Sequence, residues 1–94
     1  MSVLDRFRLD GDTAIVTGGN RGIGKAIATG MAEVGANVVI ANRTPESGQE
    51  AAAEIAEQTG SETVAITADV TDEAEVQTLV RETVDRFGSL DVLV

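Results

Sequence analysis

The sequence predicts an α/β fold, a doubly wound parallel sheet written in the order β-α-β-α-β-α-β. Three observations predict it. Short apolar runs alternate with longer segments whose apolar residues fall three and four apart, so the side-chain period switches between about two and 3.6. Glycines and helix-start signals mark the switches. The available core is Val, Ile, Leu and Ala, with Phe7 and Phe87 the sole aromatics, which suits parallel strands sandwiched by helices. Ninety-four residues make at most one small domain or part of one.

Each element follows from its residues. Thr13 to Thr17 ("TAIVT") is a β-rich run long enough for a buried strand. Ile23, Ala26, Ile27, Gly30, Met31 and Val34 then form a helical stripe that Gly35 stops. "NVVIAN" (Asn37 to Asn42) is a second buried strand. Thr44-Pro45-Glu46 starts a helix with a hydroxyl cap, a proline at the first position and an acid at the positive dipole end. That Ala-rich helix ends near Gly60, and "TVAITA" (Thr63 to Ala68) is the third strand. Asp72 with Glu75 caps a third helix, whose stripe is Val76, Leu79, Val80, Val84 and Phe87 and whose end is Gly88. "LDVLV" begins a fourth strand. The crossovers are expected to be right-handed, with helices on both faces.

Composition narrows the chemistry. Without Cys or His there are no disulfides, thiol nucleophiles or imidazole bases in these residues, and the usual zinc ligand sets are excluded. A net charge of −9 argues against a nucleic-acid partner, since phosphate backbones attract clustered Lys and Arg. The opening "MSVLDRFRLDGD" lacks the apolar run of a signal peptide and no segment approaches a membrane span, so the expected location is cytoplasmic.

"TGGNRGIG" (Thr17 to Gly24) places four glycines between a strand and a helix start. There the unpaired N–H groups and the positive dipole end form an anion site, and absent Cβ atoms let a pyrophosphate approach the backbone. Gly18 would permit the tight turn, while Gly22 and Gly24 would let loop and helix lie close to phosphates and sheet. Thr17 is expected to hydrogen-bond within the loop, and Lys25 to be a solvated charge. A carboxylate at the end of the second strand, about twenty residues on, favours NAD by binding the ribose 2′-hydroxyl. Here that slot holds Asn42, followed by Arg43. Asn tolerates a 2′-phosphate and a guanidinium grips one with paired hydrogen bonds, so the expected cofactor is NADP rather than NAD. Arg21 is a second candidate for that phosphate. Each arginine also reads as an exposed surface charge.

The T-G-x-x-x-G-x-G spacing of "TGGNRGIG" resembles the short-chain dehydrogenase/reductase family. The flanks "LDGDTAIVTG", "ADVTD" and "FGSLDVLV" agree, in order, from about Phe7 to Val94. The resemblance implies a partial Rossmann sheet of strand order 3-2-1-4 and an NAD(P)-dependent oxidoreductase acting on a small alcohol or carbonyl substrate, a homo-oligomer when complete. It implies that Gly18, Asn20, Arg21, Ile23 and Gly24 line the phosphate and ribose path. Asp69 would accept from the adenine amino group, with Val70 flanking the ring, though a turn aspartate is also expected after a strand. The family's Tyr-x-x-x-Lys pair has no counterpart, because the sequence contains no Tyr and its one lysine is Lys25. Residues 1–94 are therefore expected to be the cofactor-binding part of a dehydrogenase, inactive alone. A non-catalytic nucleotide-binding remnant is the alternative. A methyltransferase fragment is a third reading, disfavoured because its fold also wants an acid where Asn42 stands.

Overall fold

The structure, a computed structural model, describes residues 10–94; Phe7 and the first part of the leading flank lie outside the described residues. Four strands and three helices alternate: β1 (Thr13–Thr17), α1 (Gly22–Glu33), β2 (Asn37–Asn42), α2 (Pro45–Thr59), β3 (Thr63–Thr67), α3 (Glu73–Phe87) and β4 (Val92–Leu93). The sheet is parallel with order β3-β2-β1-β4, as expected. In register, Val16 lies beside Ile40 and Ala41 beside Ile66.

Strand alternation sorts the core into two layers. Val16, Val38 and Ile40 point to one face and pack with Ala28 and Ala32 of α1 and Ala51, Ala52 and Ile55 of α2. Ile15, Val39 and Ala41 point to the other, against Ala68 and Leu79, with Val80 and Phe87 of α3 partly buried beside them. Each fully buried Ile or Val side chain contributes about 1.5–3 kcal/mol. The central strands are inaccessible on both faces, which is why they read as unbroken apolar runs.

Three expectations change. In α1 the sheet-facing residues are Ala28 and Ala32, while Ile23, Ala26 and Gly30 are exposed. Ile27 and Met31 of the expected stripe are partly buried against the same core, so the stripe is rotated rather than turned away. In α3, Thr83 is buried and Val84 is exposed, because the Thr83 hydroxyl donates to the Leu79 carbonyl at 2.8 Å and so enters the core satisfied. Thr44 occupies the N-cap position of α2 but its side chain makes no cap bond. Instead its carbonyl accepts from Asn42 Nδ2 at 2.8 Å and from Ser47 Oγ at 3.3 Å.

Asp72 does cap α3, its Oδ1 accepting from the Ala74 and Glu75 amides at 2.9 and 3.3 Å. Glu75 does not close the box on Asp72; it reaches to the Asp69 amide at 3.1 Å. Both α2 and α3 end on a glycine in the left-handed region, Gly60 at φ 74° and Gly88 at φ 87°.

Candidate functional site

Parallel strands bring the loops at their C-terminal ends to one edge of the sheet. Here the loops after β1, β2 and β3 meet around a cleft of about 210 Å³, lined by Gly18, Ala41, Asn42, Arg43, Asp69 and Val70, with Ala68 and Thr71. Five of the nine residues expected from the sequence therefore share one cleft wall. Asn20, Arg21, Ile23 and Gly24 do not line it.

The glycine loop explains that division. Gly18 takes φ 67° directly after β1, and its amide donates to the Ala41 carbonyl at 2.8 Å, turning the chain over the end of β2. Gly24 lies beneath that turn, where an added Cβ would collide with the Gly18 carbonyl. The first turn of α1 thus sits against the loop. Arg21, exposed, holds the N-cap position in extended backbone and supplies no side-chain cap. Ile23 is 81% exposed beside it. Asn20 belongs to a neighbouring polar cluster, donating through Nδ2 to Ser47 Oγ at 3.3 Å.

The loop after β2 holds Asn42 with its amide turned toward α2. Nδ2 donates to the Thr44 carbonyl and, at 3.2 Å, to Ser47 Oγ; Oδ1 is buried without a hydrogen-bond partner. Gly48 makes this possible, since a Cβ there would overlap Asn42 Oδ1. Arg43, with its side chain 76% exposed, extends across the cleft mouth to within 3.9 Å of Asp69 Oδ2.

Asp69 is held from the far side. Its Oδ1 accepts from the Thr71 hydroxyl at 2.6 Å and the Thr71 amide at 2.9 Å. These bonds, the hydroxyl's first, then the amide's, hold the Asp69 carboxyl below its ordinary pKa against a small opposing effect of desolvation, and the Arg43 charge adds a lesser pull. The result is an ionised acceptor whose Oδ2 faces Arg43.

Two other expectations resolve differently. Thr17 Oγ1 donates to the Val94 carbonyl at 2.9 Å, tying the β1 end to the last strand rather than to its own loop. Lys25 is paired with Glu54 at 2.6 Å, bridging α1 and α2. Ser47 and Thr71 are contributors the sequence reading missed. Thr71 was signalled by the Asp-x-Thr spacing of a local side-chain turn, whereas nothing local to Ser47 announces its partners. Among the described residues no group of acidic side chains is placed to hold a metal, and no helix is long and apolar enough to cross a membrane.

The cleft lies at the C-terminal ends of β1, β2 and β3, with a glycine turn against a helix start and an aspartate opposite a guanidinium, in an α/β domain of parallel strands. The family model for short chain dehydrogenases matches residues 12–94. Sorbitol dehydrogenase of Cereibacter sphaeroides is 47% identical over 88 residues, 94% of this chain and 33% of that protein. The crystal structure of a short-chain type dehydrogenase/reductase from Mycobacterium marinum superposes with a TM-score of 0.91 at 39% identity, covering 99% of this chain and 37% of that one. The Pseudomonas aeruginosa RhlG/NADP active-site complex gives a TM-score of 0.83 at 38% identity, over 93% of this chain and 34% of that one. The chain belongs to the short-chain dehydrogenase family, whose dehydrogenases and reductases use nicotinamide cofactors on small-molecule substrates. It spans about a third of the length of the curated relatives it matches. Membership also disposes of the methyltransferase reading.

Proposed function

We propose that residues 1–94 are the cofactor-binding part of an NADP-preferring dehydrogenase or reductase that acts on an alcohol or carbonyl substrate. The observation that carries the NADP preference is the make-up of the β2 end: a neutral Asn42, its amide bonded into α2, next to an exposed Arg43 at the cleft mouth. No carboxylate in that slot repels a 2′-phosphate, and the guanidinium is free to swing from a single long contact onto one. That an NADP complex stands among the similar structures supports the reading.

The chain's residues fit such a cofactor. Gly24 keeps clear a space beside the Gly18 carbonyl that a Cβ would fill, so loop and helix start present backbone amides at close range. Gly18, Asn20, Arg21, Ile23 and Gly24 would flank the phosphates and ribose, Asn42 and Arg43 the 2′ position, and Asp69 and Val70 the adenine. Thr71 fixes the Asp69 carboxylate through Oδ1, which leaves Oδ2 as an acceptor for an amino group. When bound, the cofactor supplies the hydride chemistry. Proton exchange with a substrate oxygen needs a side chain within hydrogen-bond reach, and these residues contain no Tyr, His or Cys. The 94 residues are accordingly proposed to bind and not to turn over, with the reaction and its cytoplasmic, self-associating setting belonging to a complete enzyme.

Titration of the chain with NADP and with NAD tests the reading. NADP is expected to bind at least about tenfold more tightly, the lower end of what one charge-assisted contact contributes. Equal affinities, or tighter NAD, would overturn the preference.

A further inference from the structure

Three pieces of chain beside the cleft are joined by one hydroxyl. Ser47, in the first turn of α2 and half-buried, accepts at Oγ from Asn20 Nδ2 of the glycine loop at 3.3 Å and from Asn42 Nδ2 of the β2 end at 3.2 Å. The same hydroxyl donates to the Thr44 carbonyl at 3.3 Å. A serine hydroxyl has one donor and two acceptor sites, so its capacity is filled. The two asparagines come from loops 22 positions apart in sequence that are otherwise held together at Gly18 and Ala41, on the cleft side. Ser47 closes the connection on the opposite side. Asn42 is held in this cluster by a second bond as well, Nδ2 donating to the Thr44 carbonyl at 2.8 Å.

We propose that Ser47 is a positioning residue that sets the separation between the glycine loop and the Arg43 loop, and so how well one nucleotide engages both at once. The proposal rests on the nucleotide site assigned above. A ligand carrying both a pyrophosphate and a 2′-phosphate must touch both loops and depends on their spacing. One carrying only the 2′-phosphate and adenine touches the Arg43 and Asp69 side alone and does not.

Calorimetric titration with 2′-phospho-ADP-ribose and with adenosine 2′-monophosphate separates the two cases. Ser47→Ala is expected to weaken the spanning ligand about threefold to tenfold, the worth of one or two neutral hydrogen bonds, and to leave the shorter one unchanged. Ser47→Thr, which keeps the hydroxyl, should restore the wild-type ratio. Thermal melting by circular dichroism identifies any variant that is merely unfolded, and side-chain amide resonances of Asn20 and Asn42 should both shift in Ser47→Ala. Equal weakening of both ligands, or none in a folded Ser47→Ala, overturns the role of Ser47 while leaving the site intact. A wild-type chain that binds neither ligand overturns the site, and Ser47's role with it.

Discussion

Replacing Arg43 by alanine removes the one guanidinium that stands over the cleft, and the structure sets how large the effect should be. Among the described residues the arginine makes a single ion pair, 3.9 Å from Asp69 Oδ2, with three-quarters of its side chain in solvent. Such a pair is long, exposed and costs little to give up. Nearly all of a new contact to a 2′-phosphate therefore appears as affinity. A charge-assisted hydrogen bond contributes about 1.5–3 kcal/mol, roughly tenfold to a hundredfold in Kd. High exposure places Arg43 toward the lower figure and makes the effect salt-dependent. Calorimetry with 2′-phospho-ADP-ribose and with ADP-ribose, on wild type and Arg43→Ala at low and at physiological ionic strength, reads it directly. The first ligand should lose about tenfold, more at low salt, and the second should be nearly unaffected. Arg43→Lys should retain part of the gain, as a point charge without the paired donors. The Asp69 acceptor should survive, because its carboxylate is held in place by the Thr71 hydroxyl and amide and not by Arg43. Losses of equal size for both ligands would refute the assignment of Arg43 to the 2′ position.

The other expectations follow from single contacts. Gly24→Ala drives a Cβ into the Gly18 carbonyl, a backbone atom that cannot step aside, so overpacking should cost about 1–3 kcal/mol of stability; a melting temperature equal to wild type would contradict that packing. Thr71→Val removes the strongest influence depressing the Asp69 pKa, which should rise toward the ordinary carboxylate value in a carbon-13 NMR titration. Because the folded value is depressed, Asp69 stabilises the fold above its unfolded pKa of about 3.9 and loses that contribution as pH falls through the folded value; an unshifted titration in Thr71→Val would show another cause. The isolated chain should self-associate, since β4 pairs only with β1, Leu93 and Val94 are 60% and 44% exposed, and Val84 adds apolar surface on α3. Sedimentation should find oligomers that Leu93→Lys reduces, and a monodisperse wild-type monomer would count against the edge as an adhesive surface.

What the sequence by itself determined was everything governed by local periodicity and backbone conformation. All seven elements were legible within a residue or two, because the central strands are apolar on both faces and each helix is followed by a glycine at positive φ. The glycine turn was legible for the same reason: Gly18 needs a positive φ wherever the rest of the chain lies. The tertiary structure alone decided which side of each helix meets the sheet. Ala28 and Ala32 face inward with Ile27 and Met31 partly buried beside them, whereas Ile23 and Ala26 are exposed. It also decided where polar side chains spend their hydrogen bonds. Thr17 bonds to β4, Glu75 to Asp69, and Asn20 and Asn42 meet on Ser47. Those partners are distant in sequence or chosen among several within reach, and no local pattern encodes the distance between two loops.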